Sequence, residues 1–186
     1  MNLEEMKKKA LGLIEEVNPD SELLTDDPDI ATKLNDVINQ VMFVVIRMKK
    51  IPKYVEKAVN KGDLITFEDL EKECGYEVYQ INNVKGVNYE PKADGTILKI
   101  LESGTAEIDV FVYPERITEK TKNSYEFELS NDVLEIMPYG IAGVLLMSDV
   151  SSEYGVIYSR QFETELQRLD PRYHMTSVYI EGGVSI

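Results

Sequence analysis

The chain has 186 residues, 43% of them hydrophobic and 29% charged, a balance that fits one ordinary core with room for a small added module. Its 34 acidic and 20 basic residues leave a net charge of −14, which argues against tight nucleic-acid binding because phosphate contacts need a cationic face. A single cysteine, Cys74, and a single histidine, His174, exclude a disulfide within these residues and speak against thiolate or histidine-rich metal clusters and a serine–histidine triad.

The opening stretch, MNLEEMKKKALGLIEEV, mixes acids with lysines and lacks the apolar core of a signal peptide. Apolar residues at Leu3, Met6, Ala10, Leu13, Ile14 and Val17 predict an amphipathic helix, capped by Asn2 with Glu5 reaching back. The next segment, NPDSELLTDDPD, is punctuated by Pro19 and Pro28 and predicts a loop; its aspartates lack the order of a calcium-binding loop. Asp27 and Pro28 then make a favourable helix start. A long helix is expected from Pro28 to about Lys49, with Ile30, Leu34, Val37, Ile38, Val41, Met42, Val45 and Met48 on one face. Phe43, Val44 and Ile46 widen that face, so either the chain's own core or another subunit has to cover it. The longest unbroken apolar run, Val41 to Ile46, is far short of the ~20 residues that span a bilayer. A soluble protein made inside the cell, with no membrane partner, is expected.

From residue 53 to about 122 the texture changes to short alternating runs between turn residues. AEIDVFVYP is the clearest strand, YEVYQINNV is another, and VNYEPKADGTILKIL predicts a hairpin with Asp94-Gly95 at its tip. LITFEDL and YVEKAV are weaker strand candidates. About five strands in a small antiparallel sheet or sandwich follow. In YEFELSND, Glu126 and Glu128 alternate, which predicts the solvent face of a strand; acid–base catalysis by the pair is the competing reading.

The segment DVLEIMPYGIAGVLLMSDVSSEYGVIYSRQFETELQRL, starting at Asp132, predicts a helical hairpin. Asn131 or Ser130 can cap a short first turn. Pro138 is natural at a helix start, so MPYGIAGVLLM predicts a fresh helix set off in direction. Gly140 and Gly143 each cost a helix about 1 kcal/mol relative to alanine, which points to close approach by another backbone. Pro138, Gly140 and Gly143 are therefore candidate packing residues. Ser151 or Ser152 caps the second helix, which puts Tyr154, Ile157, Tyr158, Phe162, Leu166 and Leu169 on one stripe. That stripe and the glycine face are expected to lie on the long helix at 28–49.

Asp170-Pro171 ends the hairpin, and TSVYIE has strand-like alternation. It suits strand addition to a partner or a disordered terminus. Ser151 and Ser152 lack a nucleophile-elbow context, Cys74 sits beside acids in a setting unlike those of reactive cysteines, and the Gly182-Gly183 pair precedes no helix. No catalytic, metal or cofactor site is expected. The predicted class is α+β: a helical bundle from two terminal helix pairs with an inserted antiparallel β-module. Its parts are 1–52, 53–122, 123–171 and an extended tail, 172–186.

The hairpin from Leu134, with its Pro-Tyr start, short Asp/Ser loop and tyrosine-containing last helix, resembles the C-terminal hairpin of tailed-bacteriophage head-to-tail connector (adaptor) proteins. The N-terminal helix and the long helix ending in IRMKKIPKYVE resemble larger members of that group, whose helices a β-module interrupts. The resemblance implies a non-enzymatic ring protein of the virion neck, usually a dodecamer, that docks on the portal, joins the next neck or tail protein and extends the DNA channel without binding DNA specifically. The negative charge and the over-wide helix agree with that. Phe43, Val44, Ile46, Tyr173, Val178, Tyr179 and Ile180 are the candidate interface. From a different class, Tyr76, Tyr79 and Tyr89 motivate a sugar- or peptide-binding β-module.

Overall fold

The computed structural model of the chain describes residues 1–21, 24–147 and 153–169. It is a mixed α+β structure with five α-helices and two small antiparallel sheets among those residues. The chain divides into two compact units, one from Met1–Lys49 with Ile117–Ile186 and one from Lys50–Arg116.

In the first unit, α1 (Leu3–Leu13) has the predicted capping box, Asn2 accepting from the Glu5 N–H while the Glu5 carboxylate accepts from the Asn2 N–H. The helix is shorter than its apolar spacing predicts. Glu15 takes a left-handed φ of 62°, and Val17 lies beyond the end; Leu11 rather than Leu13 is fully buried. Helix α2 (Pro28–Met48) starts as read, with Asp27 accepting from the N–H groups of Asp29 and Ile30.

Helix α4 (Asn131–Met147) runs unbroken through Pro138, so no separate helix begins there. The proline removes one backbone donor and costs a helix interior about 3 kcal/mol. Ile136, Met137, Ile141 and Leu145, buried on both sides of it, each contribute about 1.5–3 kcal/mol. Burial wins, and the helix continues. Helix α4 packs against α1, α2 and α5 (Glu153–Arg168). Tyr158 on α5 donates to the Leu13 carbonyl at 2.8 Å, tying α5 to the end of α1. Among the described residues, the stretch expected as a strand around Glu126 makes one isolated bridge, Asn2 to Glu126. The N–H groups of Leu3 and Glu4 donate to the carbonyls of Tyr125 and Asn123, so this segment caps the helix start.

In the second unit, β1 (Ile51–Val59) pairs antiparallel with β6 (Gly104–Val112), which pairs with β3 (Val78–Lys85). The weakly predicted YVEKAV is thus one of the longest strands, and it begins ahead of residue 53, where the alternation was read to start. Register shifts in β3 fall opposite Phe111 and Asp109. The second sheet orders β2 (Leu64–Thr66), β5 (Ile97–Ile100) and β4 (Tyr89–Lys92). LITFEDL proves to be β2 running straight into a helix, α3 (Phe67–Cys74), whose Thr66–Asp69 capping box overrides strand propensity. The β4–β5 hairpin turns at Asp94 and Gly95 as expected. Its connection is longer than a two-residue turn, with Ala93, Asp94 and Gly95 all at positive φ in a 3₁₀ turn.

Ile108, Val110 and Val112 of β6 join Val55, Leu70, Leu98 and Ile100 in this unit's core. Gly86 is required where it stands: its φ is +82° and a Cβ would collide with the Thr105 carbonyl.

Candidate functional site

The candidate packing residues come together on α4, though not all toward the helix expected. A Cβ on Gly140 would lie 2.9 Å from Val41 Cγ1 on α2 and 2.9 Å from Phe162 Cδ2 on α5. This glycine therefore lets α4 fit between two helices at once. A Cβ on Gly143 would sit 2.6 Å from Ser159 Oγ, so Gly143 faces α5 and not the long helix. Gly155 answers from α5, where a Cβ would approach Leu146 Cβ at 3.1 Å. The α4–α5 hairpin closes through small residues on both sides. Pro138 is buried within α4.

This geometry turns the expected stripe of α5. Gly155, Ser159 and Phe162 meet α4, Tyr158 is half-buried, and Leu169 is buried. Tyr154 and Ile157, expected against the long helix, are instead 67% and 53% exposed. Met147, at the other end of the same connection, is 63% exposed. The sequence signal for that outward patch was the pair of small residues, which marks the contact face better than the tyrosines do.

Of the candidate interface on α2, Val44 is 41% exposed and Phe43 half-buried. Ile46 has nothing to offer a partner, being only 1% exposed, because it shares the buried face with Met42 and Val45. Tyr173, Val178, Tyr179 and Ile180 lie outside the described residues, as do His174, Ser151 and Ser152. Along the N-terminal half of α2, a groove of about 530 Å³ has Ile30, Val37, Val144 and Leu145 in its walls and Asp29, Asp36, Glu16 and Lys33 among its polar lining.

One ion pair joins the end of α2 to the start of α4. Lys49 Nζ lies 2.8 Å from Asp132 Oδ2. The Lys49 hydrogen bond, followed by one with Ser130, holds the Asp132 carboxyl down to about 2.

In the β-rich unit the three expected tyrosines occupy different settings. Tyr79 lies against Tyr113 and Phe111, with ring centroids 4.6 and 6.4 Å away. Tyr76 packs on the core, and Lys53 Nζ stands 4.1 Å over its ring. Tyr89 is on the other sheet. Tyr54, which sequence reasoning passed over, is exposed on β1; local desolvation, then the carboxylates of Glu107, Glu56 and Asp109, push its phenol up.

Glu126 and Glu128 are exposed in the segment before α4. Among the described residues, no group of histidine, cysteine and carboxylate side chains could hold a metal ion, and no helix is long and apolar enough to cross a membrane. The two units define the class as α+β, with helices and small antiparallel sheets. No protein-family model and no curated protein matches the chain.

Proposed function

We propose that the chain is a structural protein of a tailed-phage or phage-like particle, a head-to-tail connector. Its helices would form one bundle from both chain ends with the β-rich unit as an inserted module. Copies would assemble as a ring, docked on the portal and extending the DNA channel toward the tail, with no catalytic role. The observation that carries this reading is the apolar surface left open on the helical unit: Met147, Tyr154 and Ile157, at the facing ends of α4 and α5. Val44 is a separate exposed apolar residue on α2. Exposed apolar side chains grouped at one place mark interaction surfaces more often than bare solvent faces. The net charge of −14 supports the same reading, since it would keep DNA from adhering to a channel wall.

The test is the mass of the full chain in solution, alone and mixed with the portal of its own particle. A ring-sized species is expected, and Ile157→Asp and Val44→Asp should each shift it toward monomer while leaving the melting temperature nearly unchanged, as substitutions at exposed sites do. A chain that stays monomeric beside its portal would sink the proposal.

A further inference from the structure

The groove along the N-terminal half of α2 takes its form from the way α4 lies on that helix. Asp132 at the start of α4 pairs with Lys49 at the end of α2, Gly140 abuts Val41, and Val144 and Leu145 share the groove lining with Ile30 and Val37. The two helices therefore run antiparallel, and Ile14 and Glu16 after α1 complete the lining. On α2 the lining recurs at Asp29 and Ile30, Lys33, Asp36 and Val37, and Gln40. Those steps of three and four residues keep one helical face in the groove for about 16 Å.

The floor is apolar and the rim is acidic. Val37 and Leu145 are buried, while Ile14, Ile30, Val144 and Leu146 are only half-buried, so the hydrocarbon can be reached from solvent. Asp27, Asp29, Asp36 and Glu16 stand in the lining against a single cation, Lys33. Asp27 is taken up in capping α2. Glu16, Asp29 and Asp36 are exposed and, among the described residues, make no salt bridge, whereas Glu4, Glu135, Asp132 and Glu165 of the same unit each hold a lysine or arginine. Three unneutralised carboxylates around an open hydrocarbon floor match a ligand that is apolar on one side and cationic at its margins. A helix suits the floor better than an extended chain, because it carries its own backbone hydrogen bonds and strands no polar group there. Two neighbouring helices also present a groove into which the ridge of a third can fit.

We propose that this groove docks a cationic amphipathic helix of a partner protein. Aliphatic side chains spaced at i, i+3 or i+4, and i+7 lie on the floor, and lysines or arginines flanking that stripe meet Glu16, Asp29 and Asp36. A second copy of the chain is a poorer occupant, since two copies at −14 each repel one another. The proposal does not depend on ring assembly, because every groove residue belongs to one copy.

Titration of the labelled full chain with a short synthetic leucine–lysine helix, its leucines on one face, tests it. Amide shifts should fall along residues 27–40 and 144–146, and affinity should drop as salt rises. A peptide of the same composition, scrambled so that the leucines no longer share a face, should bind at least about tenfold more weakly, the worth of one or two aliphatic contacts. Glu16→Gln with Asp36→Asn should cost about tenfold, whereas Glu115→Gln with Glu163→Gln, exposed acids outside the groove, should cost little for the same change in net charge. All four positions are exposed, so the melting temperature should hold in both variants. No binding, equal binding of the scrambled peptide, or equal losses in the two variant pairs would overturn the proposal. So would tighter binding of a neutral leucine–glutamine helix, which would make the occupant uncharged, or peptide binding lost as the chain's own concentration rises, which would make it a second copy.

Discussion

Asp132 shows how much a single local arrangement settles. It sits in the first turn of α4, where a negative charge is favoured by the helix dipole, and it takes the Lys49 ammonium from the end of α2. Its carboxyl, ordinarily near 3.8, is held at about 2. A depressed native pKa stabilises the fold above the unfolded value and loses that contribution as pH falls through the window from about 4 to about 2. Both partners are nearly half exposed, so solvent screening limits the pair to about 1 kcal/mol or less. Asp132→Asn should therefore lower the urea midpoint slightly at pH 7 and leave it equal to wild type at pH 2; an equal deficit at both pH values would assign the loss to packing instead. Features of this range were legible in the sequence. The Asn2–Glu5 box and the Asp27–Pro28 start are written within four residues of themselves, and both formed. The Thr66–Asp69 box was equally local, but the apolar Leu64 and Ile65 ahead of it suggested a strand continuing through it.

At the scale of elements, neighbours decide what residues cannot. Pro138 read as a helix start because proline favours that position, yet burial of both flanking turns carries α4 through it. The stripe of α5 was drawn through its largest apolar residues, whereas the contact runs through Gly155 and Ser159 because α4 presents Gly143 there. Periodicity gives a helix its apolar arc but not the side from which a partner arrives. Gly140, wedged between Val41 and Phe162, gives this a measurable form. Alanine there would gain about 1 kcal/mol of helix propensity but force two neighbours aside, and overpacking of this kind costs about 1–3 kcal/mol. Gly140→Ala should destabilise the chain, and the loss should shrink when Phe162→Leu is added. Additive losses in that double-mutant cycle would show that Phe162 is not what the glycine accommodates.

For the whole molecule, the change from helical spacing to short alternating runs set the expectation of an α+β chain with strands in the middle, and the two small sheets and flanking helices follow it. Which of the apolar residues on α2 would stay exposed was beyond its reach: Val44 does, Ile46 does not. Charge acts at this scale too. Copies each bearing −14 repel one another, and the self-association proposed through the apolar patch would have to overcome that repulsion. Raising salt from 0.05 to 0.5 M shortens the screening length to about 4 Å and should tighten association, read as a rise in weight-average mass. Association that weakens with salt would point to ionic interfaces.

The contacts of α4 with both α1 and α2 also govern how the chain leaves the ribosome. Helices from the front of the sequence wait for a partner that ends at Met147, and at 5–20 residues per second the broad greasy side of α2 stays uncovered for roughly 5–20 s. During synthesis that surface is a natural client for a chaperone, and shortening the middle of the chain would shorten the exposure.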